Sequence, residues 1–158
     1  MAILRAEPLS WISLGVRILS DDGEITQLSM SAFRNKGRFQ LEGDDFTIEP
    51  EGFFGTDATL KKGASIIAKA KKAGAFKRTW EISSAGHRLN LESRSWTGRE
   101  YALLLGNHEV GRVKREGLAG RRTRMEFPDD VPGFLQVFLA YIVISQARRE
   151  AAAAAGGG

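Results

Sequence analysis

Short runs in which apolar and polar residues alternate, separated by glycine, proline and aspartate, fill most of the chain. One unbroken apolar segment follows them. Residues 11–19 form a β-type run that Asp21, Asp22 and Gly23 close with a strong turn signal, predicting a hairpin into residues 25–33. Residues 38–41 and 46–49 are strand-length pieces set apart by turn residues, and the same rhythm continues from Ala58. The stretch 65–71 mixes alanine and lysine, both good helix formers. Gly63 and Gly74 bound it and its neighbours are β-like, so a strand is predicted there. Two-residue alternation puts Phe76, Trp80 and Ile82 on one face of the next run and Lys77, Thr79 and Glu81 on the other. After a turn at 84–86, residues 87–92 alternate again. Residues 100–105 read as a more fully buried strand, Gly106 and Asn107 as a turn, and residues 109–114 and 121–127 as the last strands. About ten or eleven short strands at near-regular spacing favour an antiparallel barrel or sandwich over a parallel sheet.

The apolar segment, residues 134–144, predicts a helix over about 131–150. Asp129 and Asp130 precede it, Pro132 suits its first turn, and Arg148 and Arg149 close it where the helix dipole favours cations. Almost every side of it is apolar, so protein or lipid has to surround it. Residues 131–147, interrupted by Gln136 and Ser145, lie at the lower limit for crossing roughly 30 Å of hydrocarbon. A barrel needs a filled interior, so enclosure in protein is the preferred reading and a C-terminal tail anchor the alternative. Phe134, Val137, Phe138, Tyr141 and Ile142 are the expected core residues. The low-complexity stretch 151–158 is expected to be a flexible tail that prolongs the helix only briefly before the glycines release it.

Strands at this spacing, then Glu126, Phe127 and Pro128, then an apolar C-terminal helix ending in arginines resemble the tubby C-terminal-like superfamily. That group includes tubby proteins, LURP-one-related proteins and phospholipid scramblases. Further parallels are Phe53-Phe54-Gly55 leading into Ala58-Thr59-Leu60, then Ile67-Ala68-Lys69-Ala70, the run from Phe76 to Ile82, and Val110-Gly111-Arg112-Val113. The likeness spans about Trp11 to Arg149 and concerns element order and residue type. It implies a mainly β fold: a closed antiparallel barrel of twelve strands around a buried C-terminal helix, here a single domain over residues 1–150. It also implies binding of phosphoinositide head groups by basic residues on the barrel surface. The cysteine-rich segment and proline-rich arm of scramblases are missing, so scrambling is not implied.

A chain of 158 residues with 42% hydrophobic and 27% charged residues suits one globular domain and excludes wholesale disorder. No cysteine is present, which excludes a disulfide framework and a thiol nucleophile and suits a cytoplasmic setting, peripheral to a membrane where lipid is the partner. Nothing in residues 1–8 reads as a secretory signal. The net charge of +4 is unevenly distributed: residues 1–57 balance to −5 and residues 58–158 to +9.

Enzyme signatures are poor. Gly106, Asn107, His108 and Glu109 match one piece of a metallophosphoesterase site, but the chain has 2 histidines and no Asp-x-His to complete two metal sites. Neither a nucleophile elbow nor a phosphate-binding glycine loop occurs, and the Asp-rich stretches lack a calcium-loop pattern. No catalytic residue, cofactor or metal is expected. The basic residues Lys69, Lys71, Lys77, Arg78, Arg112, Lys114, Arg122 and Arg124 are the candidate contacts for an anionic group. Lys69 with Lys71, and Arg122 with Arg124, each project on one face of a strand and could grip a phosphate. The expected function is a non-enzymatic binding module for anionic phospholipid head groups or another phosphorylated ligand. A structural or adaptor domain binding a protein partner is the alternative. Nucleic acid is a weaker fit: Phe76, Trp80 and Trp96 could be read as stacking platforms, but Phe76 and Trp80 alternate as core residues do, and tryptophans in a barrel wall are expected to serve packing.

Overall fold

The computed structural model describes residues 1–10, 15–31, 35–52, 55–74, 77–117 and 122–156. The expectations placed on Trp11, Phe33, Phe53, Phe54, Phe76 and Arg121 lie outside the described residues. The strands are β1 (Ala2–Pro8), β2 (Val16–Ser20), β3 (Gly23–Met30), β4 (Gly37–Leu41), β5 (Asp44–Glu51), β6 (Asp57–Lys62), β7 (Ser65–Lys72), β8 (Thr79–Ser84), β9 (His87–Ser93), β10 (Glu100–Leu105), β11 (His108–Glu116) and β12 (Arg122–Phe127), followed by the helix α1 (Gly133–Gly156). Each strand pairs antiparallel with its sequence neighbour, and β1 pairs with β12, so all twelve close into a barrel.

The strand missing from the sequence reading is β1. Leu4 and Ala6 point inward, but Ile3 faces out and is 37% exposed, so consecutive apolar residues at 2–4 hide the two-residue period. Elsewhere alternation holds: Leu28 and Met30, Phe46 and Ile48, Trp80 and Ile82, and Leu89 and Leu91 are inward and buried. The alanine-lysine stretch is strand β7, with Ala68 and Ala70 buried and Lys69 and Lys71 exposed. Sheet pairing on both sides overrides its helix propensity. Gly111 is inward on β11, where a Cβ would come 2.6 Å from the Glu126 carbonyl oxygen, so only glycine lets β11 and β12 approach there.

The barrel encloses the helix. Every residue from Leu135 to Val143 is buried, which covers all sides over more than two turns. Ring stacking joins strand to strand and strand to helix: Phe39 and Phe46 lie 4.8 Å apart, and Phe46 and Phe134 5.9 Å apart. Phe134 is only half-buried, because it sits at the barrel mouth; the other four expected core residues are buried. The two polar interruptions are satisfied locally. The Gln136 side-chain amide donates to the Val131 carbonyl at 2.9 Å, and the Ser145 hydroxyl to the Ile142 carbonyl at 3.1 Å.

The start of the helix agrees with expectation and its end needs correction. Pro132 heads the first turn, its carbonyl accepting from the amides of Leu135 and Gln136, each at 3.0 Å. At the other end the helix runs on to Gly156, so residues 151–156 are helical. Five consecutive alanines at 151–155 have the highest intrinsic helix propensity and propagate a helix already nucleated inside the barrel. Arg148 and Arg149 are therefore not at the helix terminus, and Arg149 donates to the Gly55 carbonyl. Among the described residues no helix is long and apolar enough to cross a membrane.

Chain direction distinguishes the two ends of the barrel. The helix enters beside Leu41, where two-residue connections at 21–22, 42–43, 63–64, 85–86 and 106–107 join the strands. Glu42 and Ala85 adopt left-handed φ of 52° and 42° before Gly43 and Gly86, the geometry of a tight hairpin. This is the turn end. The helix leaves at the opposite, exit end, where the connections 9–15, 31–36, 52–56, 73–78, 94–99 and 117–121 are longer. Replacing Phe138, 0% exposed within the buried stretch of the helix, with alanine should cost about 3–5 kcal/mol, read as a lower urea midpoint at unchanged slope.

Candidate functional site

The predicted cations do not converge into one patch. Lys69 and Lys71 stand exposed on the outer face of β7, and Arg112, Lys114, Arg122 and Arg124 on that of β11 and β12, with β8, β9 and β10 between the two groups. Each group has its own lateral neighbours. Register pairs Lys114 with Arg124 and Arg124 with Arg5, giving a row of three cations across hydrogen-bonded strands that ends at Glu100, opposite Lys114 on β10. Arg112 pairs with Glu126 and Arg122 with Glu116. Arg124 also reaches Glu126 at 3.3 Å, so the row is partly neutralised. Arg5 was not among the expected residues, because its strand went unrecognised.

Lys69 belongs to a different surface. β7 and β8 pair from Lys72 and Trp80 as far as Lys69 and Ser83 and then splay, and the Ser84 hydroxyl donates to the Ile67 carbonyl at 2.9 Å. The gap is an open groove of about 340 Å³ lined by Ile66, Lys69, Ser83, His87 and Arg88 among others. Lys71 lies opposite Glu81.

Lys77 and Arg78 precede β8 in the connection at 73–78 and lie at the exit end. Here the emerging helix meets charged groups. Arg78 Nε donates to Glu150 Oε1 at 2.6 Å, both side chains being 30% exposed, and the Gln146 amide donates to the same oxygen at 3.0 Å. Arg149 donates to the Gly55 carbonyl at 3.1 Å. Lys72, next to Lys71 in sequence, turns toward the barrel axis with its ammonium 5.4 Å from the Trp80 ring centre. Burial, then the nearby Arg149 charge, lowers the Lys72 pKa, and burial lowers those of Arg115, Arg148 and Arg149. Burial also pushes Tyr101 and Tyr141 up to about 12. The Tyr141 hydroxyl donates to the Asn35 carbonyl at 2.7 Å.

The clearest charge pattern runs along the barrel axis. Turn-end connections, with residues 128–132 that lead into the helix, carry Asp21, Asp22, Glu42, Asp129 and Asp130 and no lysine or arginine. Among the described residues, the exit-end connections carry Lys36, Lys77, Arg78, Arg94 and Arg99 and no aspartate or glutamate. An eight-residue strand spans roughly 26 Å, or about 20 Å along the axis at the usual tilt. That exceeds a Debye length of about 8 Å at physiological salt, so the connections of each end present their own sign of charge. Glu51 and Glu116 nevertheless stand exposed beside the exit-end connections, and at the turn end the Met1 ammonium and Lys62 pair with Asp129 and Asp44. The linear sequence showed the imbalance but placed it between two parts of the chain, whereas antiparallel folding sorts it by alternate connections.

Gly106 and Asn107 form the β10–β11 turn, with φ of 63° at Gly106. No group of three or more His, Asp or Glu that could hold a metal stands together among the described residues.

Like charges directly opposite on neighbouring strands destabilise a sheet. Arg5→Thr, which has Arg124 opposite on one side and uncharged Leu19 on the other, should therefore raise unfolding free energy by about 0.2–1 kcal/mol in urea titration. At alkaline pH the tyrosines dominate. Their folded pKa of about 12 exceeds the ordinary 10, so the unfolded chain releases protons first. Stability should fall between pH 10 and 12, whereas Lys72, with its lowered pKa, contributes in the opposite direction below 10.5. Urea unfolding across this range, with Tyr141→Phe showing a shallower decline, checks the sign.

No family model, curated protein or solved structure matches the chain, so its kinship with any family is a proposal.

Proposed function

We propose that this protein is a non-enzymatic binding module of the tubby-like kind, and that its exit end engages phosphate-bearing anions, above all the head groups of anionic phospholipids. The observation that carries this reading is the segregation of charge between the barrel ends. Lys36, Lys77, Arg94 and Arg99 are exposed, and Arg78 beside them is paired with Glu150. At about 1 kcal/mol per cation near an anionic membrane surface, four contribute roughly 4 kcal/mol, a dissociation constant near the millimolar range. The cationic row of Arg5, Arg124 and Lys114 lies on the outer wall and adds to the attraction when the barrel tilts. Turn-end carboxylates disfavour the opposite orientation, so the charge distribution selects one pose as well as one partner sign.

Co-sedimentation with phosphatidylcholine vesicles, with and without phosphatidylserine or phosphatidylinositol phosphates, tests the reading. The chain should pellet with the anionic vesicles at low salt and be released at high salt. Combined Lys77→Ser and Arg99→Ser replacement should weaken binding about tenfold or more. Equal binding to neutral vesicles, or none to either, would remove the proposal.

A further inference from the structure

Four exposed cations give weak attachment, and stable peripheral anchoring takes a second, apolar contribution. The exit end holds one. Trp96 is 92% exposed, whereas Trp80 is 0% exposed in the core. Its exposure is not that of a loose loop. Trp96 occupies a turn closed by the Gly98 amide donating to the Ser95 carbonyl at 3.2 Å. The Ser95 hydroxyl accepts from the amides of Arg99 at 3.1 Å and Glu100 at 3.3 Å, and the Arg78 guanidinium donates to the Trp96 carbonyl. Gly98, at φ +70°, holds a backbone conformation that strains any side chain, and a Cβ there would press on the Arg78 and Glu150 side chains at 3.2 Å from Nε and 3.3 Å from Oε2. The helix, through Glu150 and Arg78, thus braces the turn that carries the indole into water.

Its surroundings name the occupant. Arg94 and Arg99 flank the indole in sequence and are exposed, and Lys77 is exposed next to Arg78, which holds the turn. Glu150, the carboxylate against this turn, is engaged by Arg78 and Gln146, and the helix continues past it as uncharged residues 151–156. We infer that Trp96 is a membrane-inserting anchor: its indole enters the boundary between head groups and acyl chains of an anionic bilayer while Arg94, Arg99 and Lys77 contact lipid phosphates. An amphipathic ring flanked by cations suits that boundary. This rests on the proposal that the exit end takes an anionic surface. It narrows the partner to a bilayer, because a soluble phosphorylated molecule offers the indole nothing apolar.

The test titrates the full chain and Trp96→Phe with phosphatidylcholine–phosphatidylserine vesicles, and separately with inositol hexakisphosphate as a head-group charge without acyl chains. Tryptophan emission, acrylamide quenching and pelleting are followed. The wild type should shift to the blue and become protected from acrylamide on the vesicles only. Trp96→Phe should lose that shift and bind about two- to fivefold more weakly. Since the side chain is exposed, its unfolding midpoint should match the wild type. An indole still quenched on pelleted protein, or Trp96→Phe binding as tightly as wild type, overturns the anchor and leaves the electrostatic reading standing. A blue shift that follows protein concentration without vesicles also overturns it, in favour of self-association. Failure of the wild type to bind anionic vesicles at low salt removes both.

Discussion

A helix that is apolar on every side cannot end in water, and a closed sheet with an apolar inner face cannot be left empty. Each requirement answers the other in this protein. From Leu135 to Val143 the helix has no solvent-facing side, and the inward residues of twelve strands supply its surroundings. Burying an aromatic or aliphatic side chain is worth about 1.5–3 kcal/mol. The helix alone carries Leu135, Val137, Phe138, Leu139, Tyr141, Ile142 and Val143 into the core. Barrel and helix are therefore one cooperative unit. The first strand and the last are joined edge to edge, so chain ends far apart in sequence close the wall.

Enclosure makes demands where the helix emerges. Arg149 and Glu150 lie at the mouth, half in protein, and burial disfavours the charged form of Arg149. The answer is local and polar: Glu150 takes Arg78 and Gln146, Arg149 takes the Gly55 carbonyl, and Lys72 lies over Trp80. The bonds to Arg78 and Gly55, with that of the Tyr141 hydroxyl to the Asn35 carbonyl, tie the helix to three connections of the exit end. The charged mouth and the basic rim are thus consequences of one arrangement. Acidic turns gather at one end and basic connections at the other because an antiparallel chain visits the ends alternately.

Much of this was legible in the sequence. Alternation located most strands, tight-turn residues located the hairpins, and the apolar segment announced a helix needing full enclosure. The outer-face positions of Lys69, Lys71, Arg122 and Arg124 followed from period-two geometry. Less legible were β1, whose period is masked by outward Ile3, and the alanine tail, whose helix is nucleated inside the barrel. Lys72 looked like its lysine neighbours, but an extended chain turns successive side chains to opposite faces, and Lys72 shares the inward face of Ala70.

By itself the sequence determined which residues avoid water and at what period, and that suffices for the class of fold and its core. Only the tertiary structure decided which strands became neighbours, because pairing register depends on contacts between segments far apart in the chain. That pairing set Arg5 beside Arg124 and Lys114 and kept Lys69 away from them. It also gathered Arg78, Trp96 and Glu150 at one mouth. Charge at a surface is a property of three-dimensional neighbours. Its sign was written along the chain, and its address was written by the barrel.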